Sequence, residues 1–121
     1  MGKLTEFIST DLQSWIEKQK MFFVATAPLA AIGHINVSPK GLDSLRIITP
    51  TMTAYQDLTG SGVETIAHVN ENKRMVIMFC AFEGPPKIIR LYGKGEVVLP
   101  QDERFAEMSG KFPQRIGVRA Y

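Results

Sequence analysis

The chain has 121 residues, enough for one hydrophobic core and too few for two domains of ordinary size. Its 45% apolar and 21% charged residues exclude the disordered and collagen-like classes, and its longest apolar run falls far short of a membrane span. Fourteen basic residues against twelve acidic ones give a net charge of +2 with no basic run, which argues against a surface that tracks nucleic-acid phosphates.

The opening stretch MGKLTEF lacks the apolar core of a signal peptide, so a cytoplasmic location is expected. From Thr10 to Lys20, Leu12, Trp15 and Ile16 recur at helical spacing, and Thr10 with Gln13 matches a capping box. A short amphipathic helix is predicted there, with Trp15 as a packing residue. The run Met21 to Ala27 reads as a strand ending at Pro28, and PLAAIGH as a turn. A second strand, HINVS, leads into VSPKG, where Ser38, Pro39, Lys40 and Gly41 in succession predict a compact basic loop. His34 falls at the edge of that strand.

LRIIT gives a third strand before Pro50, and TMTAYQDL, residues 51–58, a fourth with Thr53 and Tyr55 on one side. Gly60, Ser61 and Gly62 then open a helix over VETIAHVNEN, residues 63–72. Met75 to Phe82 reads as a buried central strand carrying the lone cysteine, Cys80, as an inert thiol from which neither a disulfide nor a zinc site can be built. After GPP, the stretch from Lys87 to Leu99 is a last long strand, in which Gly93 and Gly95 suggest a bulge or sharp bend. A helix over residues 101–113, with Gly110 as its stop, and a strand beginning in QRIGVRAY complete the chain. About six antiparallel strands with two or three short helices predict a mainly β, α+β fold built as a small barrel.

Two stretches can gather an anion. One is Ser38 to Gly41, where Lys40 supplies positive charge. The other is Thr59 to Thr65, where a glycine-rich turn feeds a helix and presents backbone N–H groups beside the hydroxyls of Thr59, Ser61 and Thr65. Arg46 and Arg90 are further candidates if their strands face the same cleft. Neither a P-loop nor a dinucleotide fingerprint is present, and there is no serine-nucleophile elbow. His34 and His68 have no partners at metal-ligand spacing. So little acid–base machinery suits a protein whose chemistry comes from a cofactor.

The series FFVATA, GHINVSPKG, DLTGSGVET and RLYGKGEV resembles the pyridoxamine 5'-phosphate oxidase-like FMN-binding split-barrel family over about residues 22–98. The resemblance implies a split β-barrel, a homodimer, and FMN in clefts between subunits. It also implies that Ser38, Lys40, Thr59, Gly60, Ser61, Gly62 and Thr65 hold the phosphate and ribityl chain, with Val37, Pro39 and Tyr55 near the flavin ring. Two departures are legible. Val63-Glu64-Thr65 stands where the oxidases proper carry an Arg-Lys pair, so oxidation of pyridoxamine 5'-phosphate itself is not expected. The chain also stops where members usually continue, as an unusually short or truncated member would.

The expected function is that of a flavin-dependent oxidoreductase acting on a small molecule. Tyr55, His68 and Arg90 are the polar groups whose replacement would test it first. Alternatives from other classes are a non-catalytic module for flavin, the deazaflavin F420 or heme, and a dimerisation domain without cofactor.

Overall fold

The computed structural model describes residues 2–60 and 63–121. The elements in chain order are α1 (Thr10–Glu17), β1 (Phe22–Thr26), β2 (Asn36–Lys40), β3 (Leu45–Thr49), β4 (Met52–Tyr55), β5 (Asp57–Leu58), α2 (Val63–Asn72), β6 (Arg74–Cys80), β7 (Ile88–Lys94), α3 (Phe105–Ser109) and β8 (Val118–Ala120). The expected mainly β fold with short helices is found, with eight strands among the described residues rather than about six. All strand pairs are antiparallel, in a four-stranded sheet ordered β2-β1-β6-β7 and two pairs, β3-β4 and β5-β8. Among the described residues these sheets do not close into a barrel.

Strand alternation decides where the core sits. On the inner face of the four-stranded sheet Phe22, Val24, Ile77 and Phe79 are buried, and Ile8 and Ile16 close over them with Leu12 and Trp15 of α1 alongside. Phe22 joins two aromatic neighbours in this core, 5.9 Å from Phe79 and edge-on to Tyr55 at 5.8 Å. The outer face carries the rows Val37, Ala25, Val76, Tyr92 and Pro39, Phe23, Met78, Arg90 in register. Helix α2 packs against β1 and β6.

Several boundaries differ from expectation for identifiable reasons. Of the residues read as the VSPKG loop, Val37 to Lys40 lie in β2, paired with β1 from Phe22↔Lys40 to Thr26↔Asn36, and Gly41 follows the strand. Pro39 is tolerated because β2 is an edge strand of this sheet, where one side of the backbone needs no N–H donor. The turn comes later, at Leu42 and Asp43, both with positive φ (61° and 55°). Helix α1 is capped by Ser9, whose Oγ accepts from the Leu12 N–H, while Gln13 bonds Glu17 instead of closing a capping box. It stops at Glu17, three residues before the expected Lys20.

The fourth expected strand divides at Gln56. That side chain is buried and bonds the Pro113 carbonyl, the Tyr121 hydroxyl and Arg115 Nη1. The register between β6 and β7 runs regularly through Gly93, so no bulge forms there. The irregularities fall between Ile47 and Thr49 and between Asp57 and Leu58. The last long strand ends at Lys94 rather than Leu99, and α3 is confined to five residues. Cys80 is half-buried at the end of β6, not sealed in the core, and His34 is exposed ahead of β2.

Candidate functional site

Because β2 is a strand, Asn36, Ser38 and Lys40 project from the same, inward side. Thr65, in the first turn of α2, reaches the same place. Asn36 Nδ2 donates to Ser38 Oγ at 3.2 Å and to Thr65 Oγ1 at 2.9 Å, so one side chain ties together the two stretches singled out in the sequence. Ser38 and Thr65 are buried. One turn further along α2, His68 Nδ1 lies 2.9 Å from the hydroxyl of Thr26, which pairs with Asn36 across the sheet.

Lys40 continues this row toward a buried carboxylate. Its Nζ sits 3.3 Å from Asp57 Oδ1, and Arg119 Nε, reaching over from β8, donates to Asp57 Oδ2 at 2.9 Å. The Lys40 ammonium also lies 5.8 Å from the centre of the Tyr55 ring. Burial, and secondarily the neighbouring Asp57 carboxylate, pushes the Tyr55 hydroxyl far above the ordinary tyrosine range, against a weaker opposite pull from Arg119. Tyr55 is therefore a neutral group at any physiological pH.

Strand β8 also shapes the second stretch. The Thr59 N–H donates to the Gly117 carbonyl at 2.7 Å, and Gly117 adopts φ +86°. That positive φ favours glycine, and a Cβ at Gly117 would also lie 2.8 Å from Thr59 Oγ1, forcing that hydroxyl to turn away.

The structure thus brings Ser38, Lys40, Tyr55 and Thr65 to one inner region and separates other members of the predicted set. Val37 and Pro39 point to the outer face of the sheet, where Arg90 shares the row of Pro39. Thr59 and Gly60 are exposed, while Ser61 and Gly62 lie outside the described residues. Arg46 is committed elsewhere, bonding both carboxylate oxygens of Asp43 and the Lys111 carbonyl and covering Phe112.

Asn36, Thr26, Asp57 and Arg119 are the site residues not singled out from sequence. The N-x-S-x-K alternation of β2 points to Asn36, but Pro39 within it carries the signal of a turn. Asp57 and Arg119 are 62 residues apart, and no local pattern joins them. Among the described residues no group of three or more His, Cys, Asp or Glu comes together as a metal site, and no helix is long and apolar enough to cross a membrane.

The family model described as pyridoxamine 5'-phosphate oxidase matches residues 8–120. The chain is also 44% identical over 117 residues to a protein of Aspergillus flavus named pyridoxamine 5'-phosphate oxidase family protein ustO. That alignment covers 95% of this chain and 45% of the relative, so the chain spans less than half the length of the curated protein it matches. No solved structure matches the chain.

Proposed function

The chain belongs to the pyridoxamine 5'-phosphate oxidase family, and from that premise we propose that it binds FMN and serves as a flavin-dependent oxidoreductase on a small molecule. The observation that carries this reading is the Asn36 bridge, which joins Ser38 of β2 to Thr65 of α2 on the same inner face as Lys40. Two hydroxyls, an ammonium group and the amino end of a helix are a donor set suited to a phosphate monoester, so the residues fit the phosphate end of FMN.

In this reading Lys40 supplies the charge, Asp57 aims it, and Asn36 fixes the hydroxyl rotors of Ser38 and Thr65 by occupying one acceptor site on each. Tyr55, held neutral, offers an uncharged hydroxyl and a ring face. The flavin, when bound, supplies the electron-transfer chemistry. Glu64 stands exposed in the first turn of α2, where the oxidases proper carry a cationic pair; the substrate is accordingly taken to be something other than pyridoxamine 5'-phosphate.

The test begins with the visible absorption spectrum of the purified protein and a titration with FMN. A two-band flavin spectrum and saturable binding are expected, with Lys40→Ala weakening FMN roughly 10- to 100-fold, the range for losing a charge-assisted contact. Absence of saturable binding, or an affinity untouched by Lys40→Ala, would sink the reading.

A homodimer is part of the same proposal. The outer face of the four-stranded sheet exposes Val37 (61%), Ile88 (56%) and Tyr92 (74%) around half-buried Phe23, Ala25, Val76 and Met78, an apolar surface that a second copy would cover. Val37, Pro39 and Arg90 would then lie at the subunit boundary. Val76→Asp, which places a charge at the middle of that face, is expected to convert dimer to monomer in light scattering at micromolar protein. A wild-type protein that is monomeric throughout that range would remove this part of the proposal.

A further inference from the structure

A cavity of about 310 Å³ lies between the carboxyl end of α1, the start of β1 and the first residues of β3. Its deep part is apolar, with Ile16, Phe22 and Phe79 buried there and half-buried Leu45 and Ile47 beside them. Its mouth carries exposed Glu17, Lys20 and Asp43 with half-buried Arg46, two acids and two bases that leave no net charge to draw an ion. Most polar groups around it already have partners. Glu17 accepts from Gln13 Nε2 at 2.8 Å, Gln19 Nε2 donates to the Trp15 carbonyl at 2.9 Å, and Arg46 holds both carboxylate oxygens of Asp43. Ser44 is the exception. It is 4% exposed, and among the described residues it is the one buried polar side chain that makes no hydrogen bond, whereas Thr26, Ser38, Gln56, Asp57 and Thr65 each make at least one. A sealed hydroxyl without a partner is costly, and none occurs among the described residues, so the Ser44 hydroxyl opens on the cavity that this residue lines.

We infer that this cavity is a second binding site, for a small uncharged aromatic molecule that carries one hydroxyl or carbonyl oxygen for Ser44. Each part of that description follows from the lining. The volume stands at the lower end of small-molecule sites, the rings of Phe22 and Phe79 favour an aromatic occupant, and the balanced mouth offers an ion no advantage. The single unmet hydroxyl calls for a single polar group, which it can serve as donor or acceptor. None of Asn36, Ser38, Lys40, Tyr55 or Thr65 lines the cavity, so the inference stands apart from the flavin reading. Phe22 lies between the two regions, lining the cavity and packing edge-on against Tyr55.

The experiment titrates p-cresol and toluene, which differ by one hydroxyl, into wild-type protein and Ser44→Ala by ligand-observed NMR. Ser44→Ala keeps the cavity and removes its hydroxyl. Saturable binding of p-cresol to wild type is expected, weakened roughly 3- to 10-fold by Ser44→Ala while toluene changes by less than about twofold. Equal losses for both probes, or no loss for p-cresol, would mean that Ser44 does not meet the occupant, and absence of saturable binding to wild type would leave the cavity to water; each of these overturns the inference. Excess FMN should leave the p-cresol affinity unchanged, whereas competition would assign the phenol to the flavin site and also overturn it. Ser44→Leu, which puts a larger apolar side chain into the space, should abolish binding of both probes, and persistence of either would place their site elsewhere. Should Ser44→Leu not fold, the comparison of p-cresol with toluene on Ser44→Ala decides alone.

Discussion

Replacing Asp57 with alanine is expected to lower the unfolding free energy of the ligand-free protein by about 3–5 kcal/mol, the usual cost of removing one partner from a buried ion pair. Asp57 is 5% exposed and is the common acceptor for Lys40 and Arg119. Without it two cations from different strands face each other in a poorly solvated region, and the β5-β8 pairing loses the side-chain tie that reinforces its two-residue ladder. Urea denaturation monitored through Trp15 fluorescence reads the loss. The double variant Asp57→Ala with Lys40→Met is expected to recover part of it, because one of the stranded charges is gone. A loss below about 1 kcal/mol for Asp57→Ala would place the cluster in effective contact with water, where ion pairs contribute little.

The second large effect is expected at Phe79. It is 1% exposed, stacks on Phe22 at 5.9 Å, and Phe22 in turn packs edge-on against Tyr55. Phe79→Ala is expected to cost about 3–5 kcal/mol through lost burial and the cavity left behind. Phe79→Leu, which keeps most of the volume, should cost much less. Since the chain Phe79, Phe22, Tyr55 ends at the ring beneath Lys40, the alanine variant should also weaken FMN binding, though less than Lys40→Ala does. Chemical denaturation of the two Phe79 variants checks the first claim and an FMN titration the second. Equal stability losses for alanine and leucine would show that ring shape rather than volume sets the cost.

Much of the scaffold is legible in the sequence where a single period dominates. The runs Met21 to Ala27 and Met75 to Phe82 are apolar and β-branched enough to read as strands, found at Phe22–Thr26 and Arg74–Cys80, and Val63–Asn72 reads as a helix because a glycine turn precedes a regular apolar spacing. The misreadings cluster where a local signal is outvoted by tertiary context. Pro39 looks like a turn residue but sits on a sheet edge that needs no donor from it, and Gln56 looks like part of a continuous strand but turns inward to bond the carboxyl-terminal segment. The site divides in the same way. Ser38, Lys40 and Thr65 are found from residue chemistry near glycine-rich stretches, whereas Asp57 and Arg119 come together only through the β5-β8 pairing, a long-range contact that no window along the chain contains.

The two faces of β2 also govern which changes in chain length this protein can absorb. The exposed connection ahead of the strand, with Leu29, Ile32 and Ile35 all facing solvent, can gain or lose residues while the pairing of Asn36–Lys40 with β1 is left as it is. A single deletion within Asn36–Lys40 has another result: every side chain beyond it changes sides, turning the ammonium and hydroxyl outward and bringing valine and proline into their place. Length variation among descendants of this sequence should therefore accumulate before Asn36 and be purged within the five residues that follow.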